Sequence, residues 1–181
     1  MTPTQRKLLI LDLDETLIHA AEEPLGGEPD FMIGPYFVYR RPFLDEFLEF
    51  CFENFEVAVW TSSTLVYAIR ITANIFPAHR RPAFLWARER CTICFDPDLR
   101  EQYFEKKMWK IRRRGYDLKA VVVVDDSPEK WRTAYGNLVR VEPFLGDRED
   151  DELKHLAVYL ERLKALDNIR KFEKRNWRNR L

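Results

Sequence analysis

The chain has 181 residues, enough for one domain with a sizeable core and too few to expect two. Hydrophobic residues make up 46% and charged residues 33%, a balance that excludes a disordered chain. The 30 basic residues match the 30 acidic ones, so net charge gives no reason to expect non-specific nucleic-acid binding. No apolar run approaches membrane-spanning length, and Val121–Val124 stops at Asp125. Three cysteines are too few for a disulfide framework, and they point to a reducing, cytoplasmic compartment.

Taken in chain order, MTPTQRK leads directly into the strand-like KLLILDL (7–13), with no secretory apolar region before it. EEPLGGEPDFMIGPYFVYR (22–40) reads as a loop plus a hairpin, its YFVY being the strand signal. RPFLDEFLEFCF (41–52) has Pro42 for a first helical turn and apolar residues at helical spacing. FEVAVW (55–60) is a second buried strand. SSTLVYAIRITANIF (62–76) is a second helix, with Ser62 and Ser63 as cap candidates and Pro77 as its stop. Residues 77–104 read as a compact insertion, and REQYFEKKMWK (100–110) is helix-like. KAVVVV (119–124) is a third buried strand, followed by SPEKWRTAYG (127–136), with Ser127 to cap, Pro128 for the first turn and Gly136 to stop. Leu153, Leu156, Leu160 and Leu163 mark one face of an amphipathic helix from Asp151 to about Ile169, and a basic tail, 170–181, closes the chain. Short, doubly buried strands alternating with helices predict an α/β domain with a Rossmann-like parallel sheet and right-handed crossovers.

Each of the three core strands ends in polar residues: Asp12, Asp14 and Thr16; Thr61 and Ser62; Asp125, Asp126 and Ser127. In open α/β sheets ligands bind beyond the carboxyl ends of the strands, so adjacent strands would bring these groups to one crevice. Residues two apart in an extended segment face the same way, which lets Asp12 and Asp14 address one ligand. Several carboxylates together repel unless a cation neutralises them, and a hard divalent ion such as Mg²⁺ takes oxygen ligands. Such a site suits a phosphoryl group, and Lys106, Lys107 and Lys110 are the nearby candidate cations.

LDLDETL resembles the DxDx(T/V) signature of the haloacid dehalogenase superfamily of phosphohydrolases. More narrowly, the chain resembles the NLI-interacting-factor-like family: phosphatases of the RNA polymerase II tail, the small C-terminal-domain phosphatases and their prokaryotic relatives. The resemblance runs from about Lys7 to Phe144 through LDLDETLIH, YRRPFLDEFL, VWTSS, RERC, the lysine of YFEKKMWK and VVVVDDSP. It implies Asp12 as nucleophile forming an aspartyl-phosphate, and Asp14 as general acid and then base. It implies Thr61 as a phosphate anchor, and Asp126 completing a Mg²⁺ shell with Asp12 and the carbonyl of Asp14, with Asp125 just behind. Tyr67 and Arg88 match substrate-side positions of the family, and Thr16 and Ser62, at the strand ends, are further candidates for substrate contact. The family lysine is usually followed by Asp-Leu; here spacing favours Lys106, with Lys107 the alternative. The small tail phosphatases carry Asp-Asn where this chain has Asp125-Asp126.

Cys91 and Cys94 form a lone CxxC without further zinc ligands and read as buried structural thiols, and His19 as structural. The tail, with Phe172 and Trp177 among its basic residues, reads by default as a solvated helix end, with nucleic acid as its other use. With short insertions in place of the superfamily's large cap, the site should be open. The expected function is a Mg²⁺-dependent phosphomonoesterase acting as a monomer on phosphoserine or phosphothreonine in proteins. The alternatives are a nucleic-acid-end or small-molecule phosphatase, or a non-catalytic module that holds partner proteins.

Overall fold

The computed structural model describes residues 6–96 and 100–181, so the expectation about MTPTQRK falls largely outside the described residues. Leu8–Leu11 form β1, none of them more than 1% exposed, as suits an uninterrupted apolar run in a strand covered on both faces. β1 is followed by β2 (Ile18–Ala21), β3 (Phe31–Ile33) and β4 (Tyr36–Arg40), which form an antiparallel sheet in the order β2-β4-β3. The turn between β3 and β4 uses Gly34 at φ 60°, a conformation that costs glycine little. This is the expected hairpin with one strand more.

α1 (Leu44–Asn54), β5 (Glu56–Trp60), α2 (Leu65–Ile75) and β6 (Leu85–Trp86) come next. They are followed by the hairpin β7 (Thr92–Asp96) and β8 (Glu101–Glu105), then α3 (Met108–Arg113), β9 (Val121–Asp125), β10 (Leu138–Arg140) and α4 (Glu152–Lys164). The main sheet has the order β10-β9-β1-β5-β6 and every pairing in it is parallel. The three strands anticipated from the apolar runs are its three central members, with Leu11 beside both Val59 and Val124. Alternate residues serve two cores. Leu9, Leu11, Val57, Val59, Val122 and Val124 face α1, α2 and α4, while Leu8, Ile10, Ala58, Trp60, Val121 and Val123 face α3, Trp86 and Trp131.

Several boundaries depart from the sequence reading. Residues 77–104 are not wholly an insertion, because Leu85 and Trp86 pair with Val59 and Trp60 and extend the main sheet. REQYFEKKMWK is not one helix: Glu101–Glu105 pair with β7, and the helix begins only at Met108. SPEKWRTAYG gives a single 3₁₀ turn, Pro128–Trp131, since Trp131 turns inward and is 1% exposed. α1 starts after Pro42, where Phe43 at φ 63° breaks the helical path. α2 starts after Thr64, leaving Ser62 and Ser63 outside it. α4 stops at Lys164, and a separate 3₁₀ turn covers Ile169–Lys171. The tail is not a solvated helix end. Trp177 is buried, its indole donates to the Arg140 carbonyl at 2.7 Å, and its ring lies 5.4 Å from Tyr159.

Candidate active site

β1 carries the sheet one residue past its last strand position. The Asp12 amide donates to the Val124 carbonyl at 3.0 Å, fixing the Asp12 backbone at the carboxyl edge with its side chain only 2% exposed. Lys106, which is fully buried, reaches this edge from the segment after β8. Its ammonium donates to Asp12 Oδ1 at 2.8 Å and to Asp125 Oδ2 at 2.6 Å. Burial pushes this lysine toward neutrality, but the charges of Asp12 and Asp125 outweigh it and raise its pKa. Geometry thus separates the three candidate lysines. Lys107 pairs with Glu105, and Lys110 donates to the Arg90 carbonyl at 2.7 Å.

Asp125 is saturated. Its Oδ2 also accepts from Trp131 Nε1 at 2.7 Å, and its Oδ1 accepts the Ser127 amide at 2.9 Å. Burial raises its pKa, but Lys106 and Lys130 overcome that and hold it below the usual carboxylate range. Asp12 is pushed up to about 7, first by burial and then by the charge of Asp125, against the opposing pull of Lys106 and Lys130. Asp126 is raised by burial and by Asp125. Asp12, Asp125 and Asp126 each offer a carboxylate oxygen, all within 4.8 Å of one another. The donor set is all oxygen, and Asp12 Oδ2 accepts no hydrogen bond among the described residues, so these residues fit a hard divalent cation. Of the residues read as metal-binding, Asp14 is the one whose carboxylate stands outside this group.

The Asp14 side chain has other partners. Ser63 Oγ donates to Oδ2 at 2.7 Å, and Tyr67 on α2 donates its phenol to Oδ1 at 2.6 Å. Burial and the Asp14 charge push the Tyr67 phenol well above its ordinary range, so it stays a donor. Thr61 follows β5, its amide bonded to the Trp86 carbonyl at 2.9 Å and its Oγ1 accepting the Ser63 amide at 3.0 Å. Arg88 is tied to the Ser62 carbonyl through Nε at 2.8 Å and lies over the Phe104 ring at 5.3 Å. Thr16 is buried, with its hydroxyl 3.4 Å from Asp126 Oδ1 and its carbonyl accepting from Arg41 at 3.1 Å. Arg41 is itself buried and paired with both oxygens of Asp150 at 2.8 Å, so it braces the loop that carries Asp14.

Four residues of this edge are not among the site residues read from sequence, Ser63 being read there only as a helix cap. Lys130 follows Asp126 by one 3₁₀ turn. It accepts the Lys106 amide at 2.7 Å through its own carbonyl, and its pKa is raised because Asp12 and Asp125 outweigh its burial. Its ammonium has no ion pair or hydrogen bond among the described residues. Trp131 supports Asp125, and Ser63 supports Asp14. Glu15, at φ 56°, is pushed up to about 7 by burial and by the charges of Asp14 and Asp126. The available signal was DDSPEKW itself, where a lysine and a tryptophan follow two acids closely enough for one tight turn to return them. The CxxC is not a pair of equivalent buried thiols. Cys91 is buried near the Thr61 carbonyl, whereas Cys94 is half-buried with Sγ 3.5 Å from Glu105 Oε2, and all three cysteines are free. His19 pairs with Glu15 at 3.3 Å.

Comparison with known proteins returns one family. The model of the NLI interacting factor-like phosphatases matches residues 7–170. "CTD small phosphatase-like protein 2" of Dictyostelium discoideum is 32% identical over 170 residues, covering 90% of this chain and 28% of its own length. The human "Carboxy-terminal domain RNA polymerase II polypeptide A small phosphatase 1" is 29% identical over 170 residues, covering 89% of this chain and 60% of its own length. A solved structure of Fcp1, titled an essential RNA polymerase II CTD phosphatase, superposes with a TM-score of 0.58 at 25% identity, over 92% of this chain and 52% of that one. This chain therefore spans about half or less of the length of the first relatives it matches, at 28%, 53% and 47%.

Proposed function

The chain belongs to the NLI interacting factor-like phosphatase family, and we propose that it hydrolyses phosphomonoesters through a phosphoryl group carried on Asp12, with phosphoserine or phosphothreonine of a protein as substrate. The observation that carries this reading is the buried bridge from Lys106 to Asp12 and Asp125, with Asp12 Oδ2 left free at the carboxyl edge of the sheet. A lysine held there keeps Asp12 Oδ1 occupied and aims the other oxygen outward as nucleophile. That oxygen bonds to phosphorus as the bond from phosphorus to the ester oxygen breaks. Asp14 delivers a proton to the departing oxygen. It then takes one from the water that cleaves the acyl phosphate, which returns Asp12 to its carboxylate. Ser63 and Tyr67 fix the direction in which Asp14 points.

Lys106 and Lys130 offset the negative charge that collects on the transferring group. The Thr61 hydroxyl, whose oxygen already accepts the Ser63 amide, keeps its proton to donate to a phosphate oxygen. Asp12 and Asp126 would hold Mg²⁺, which supplies Lewis-acid polarisation of the phosphoryl oxygens when bound. Asp125 is committed to Lys106, Trp131 and Ser127, so its part is to orient the lysine rather than to ligate. The strands outside the main sheet form only the small sheets β2-β4-β3 and β7-β8 among the described residues, and a site without a large cap suits a polypeptide substrate. Three free cysteines suit a reducing compartment.

Hydrolysis of an aryl phosphate, with and without Mg²⁺, tests the reading. The parent should turn over only with metal, and Asp12→Asn should lose at least about a thousandfold. Full activity in Asp12→Asn would end the proposal.

A further inference from the structure

Behind the catalytic edge, at the outer strand of the main sheet, the docked tail encloses an open groove of about 820 Å³. One wall starts at Pro128 and Arg140. Arg140 is the register partner of Asp125 across the β9-β10 ladder, so the groove begins one strand away from the site. The other wall is the 3₁₀ turn Ile169–Lys171 and the residues after it. Gly136 allows that close approach, because a Cβ there would lie 3.2 Å from Arg170 Cβ.

The groove's charges divide by whether they are already used. Arg175 is paired with Glu173 at 2.7 Å, Arg178 with Glu152 at 2.5 Å and Asp151 at 2.6 Å, and Lys174 is buried against the Ile169 and Phe172 carbonyls at 2.6 Å. The remaining cations lack an acid. Arg140 and Lys171 are exposed, with no side-chain ion pair or hydrogen bond among the described residues, and Arg170 has only the neutral Asn137 Oδ1 at 3.3 Å. Tyr135, 72% exposed, and Phe172, 38% exposed, give the same groove apolar surface.

We propose that this groove docks an acidic stretch of the phosphoprotein substrate, outside the residue being dephosphorylated. The proposal rests on the phosphatase reading above. Unpaired cations spaced along an open groove match discrete Asp and Glu side chains. Glu142, exposed in the same lining with no cation on its carboxylate among the described residues, would repel the continuous phosphate track of a nucleic acid.

The test uses phosphoserine peptides of equal length with a run of glutamates before the phosphoserine, after it, or replaced by glutamines. One of the acidic peptides should show kcat/KM about five- to tenfold above the neutral one, the size that two or three exposed ion pairs supply, and the gain should shrink with added salt. Arg140→Gln combined with Lys171→Gln should abolish the gain while aryl phosphate turnover stays unchanged. Arg175→Gln, whose guanidinium is already paired, should keep it. Equal kcat/KM for all three peptides, or a preference that survives in the double variant, would overturn the proposal. So would a single-stranded oligonucleotide that binds the groove while peptide preference is absent. If no phosphate is turned over in any arm, the phosphatase reading fails. The groove is then judged by fluorescence anisotropy with the unphosphorylated acidic peptide: binding lost in the double variant supports it, and no binding rejects it.

Discussion

Lys106, Lys107 and Lys110 stand within five residues of sequence, and only the first is completely buried. Its position follows from the antiparallel β8, which delivers Glu105 and Lys106 inward, and from the Lys130 carbonyl that holds its amide. Spacing alone favoured Lys106, because a resemblance fixes the distance to Asp125 even where the local element is misjudged. Lys106→Met should lower kcat by about a hundredfold to a thousandfold. It should also cost about 3–5 kcal/mol in urea unfolding, since two carboxylates would stay buried without their cation. Lys130 carried only the local signal of DDSPEKW, as its contribution depends on a 3₁₀ turn bringing its charge near Asp12 and Asp125. Lys130→Met should lower kcat/KM about tenfold or more for aryl phosphate, with Lys130→Arg retaining most activity; equal activity in all three proteins would remove Lys130 from the site. Lys174 supplies a pH test. Burial lowers its pKa from 10.5 to about 8. Between those values the unfolded chain keeps a proton that the folded chain has released, so stability rises with pH across that window. Melting of Lys174→Met against the parent at about pH 8 and about pH 10 should show the parent gaining on the variant at the higher pH.

Elements with long apolar runs were legible, and elements made of two or three residues were not. Leu8–Leu11 and Val121–Val124 bury both faces, and their composition states it. Leu85–Trp86 and Leu138–Arg140 carry no pattern that distinguishes an edge strand from a loop, since each is a strand only through its neighbour. The Pro128–Trp131 turn was read as a longer helix because Ser127, Pro128 and Gly136 are ordinary helix punctuation. Instead Ser127 gives its hydroxyl to Asp126 at 3.0 Å, and Trp131 goes inward to Asp125. That turn joins the second core to the site, as Trp131 also meets Trp60 edge to face at 5.4 Å and lies 5.4 Å below the Lys106 ammonium. Trp131→Phe keeps an aromatic ring but leaves Asp125 short of one donor. A loss of about 1–3 kcal/mol is expected by chemical denaturation, with kcat falling more than KM changes.

At the scale of the whole molecule, the parallel sheet explains why one edge gathers chemistry from residues as far apart as Asp12 and Asp125. β1 lies between β9 and β5, so three strand ends become neighbours. This much could be read from the chain, because polar residues follow each buried run. The docking of residues 170–181 could not, since Trp177 finds its acceptor 37 positions earlier, at Arg140. Removing residues 170–181 would uncover Tyr159, which is fully buried and packs against Phe172 and Trp177, and should cost about 3–5 kcal/mol in urea unfolding, as loss of a buried tryptophan does. Among the described residues no helix is long and apolar enough to cross a membrane. The whole arrangement of sheet, buried lysine and braced acid makes sense if Asp12 carries the phosphoryl group. The most direct measurement is rapid acid quench of the protein with Mg²⁺ and a phosphopeptide, followed by peptide mass spectrometry. A phosphoryl group on the peptide containing Asp12, absent from Asp12→Asn, is the predicted result. Turnover with the label on another residue, or undiminished turnover in Asp12→Asn, would contradict it.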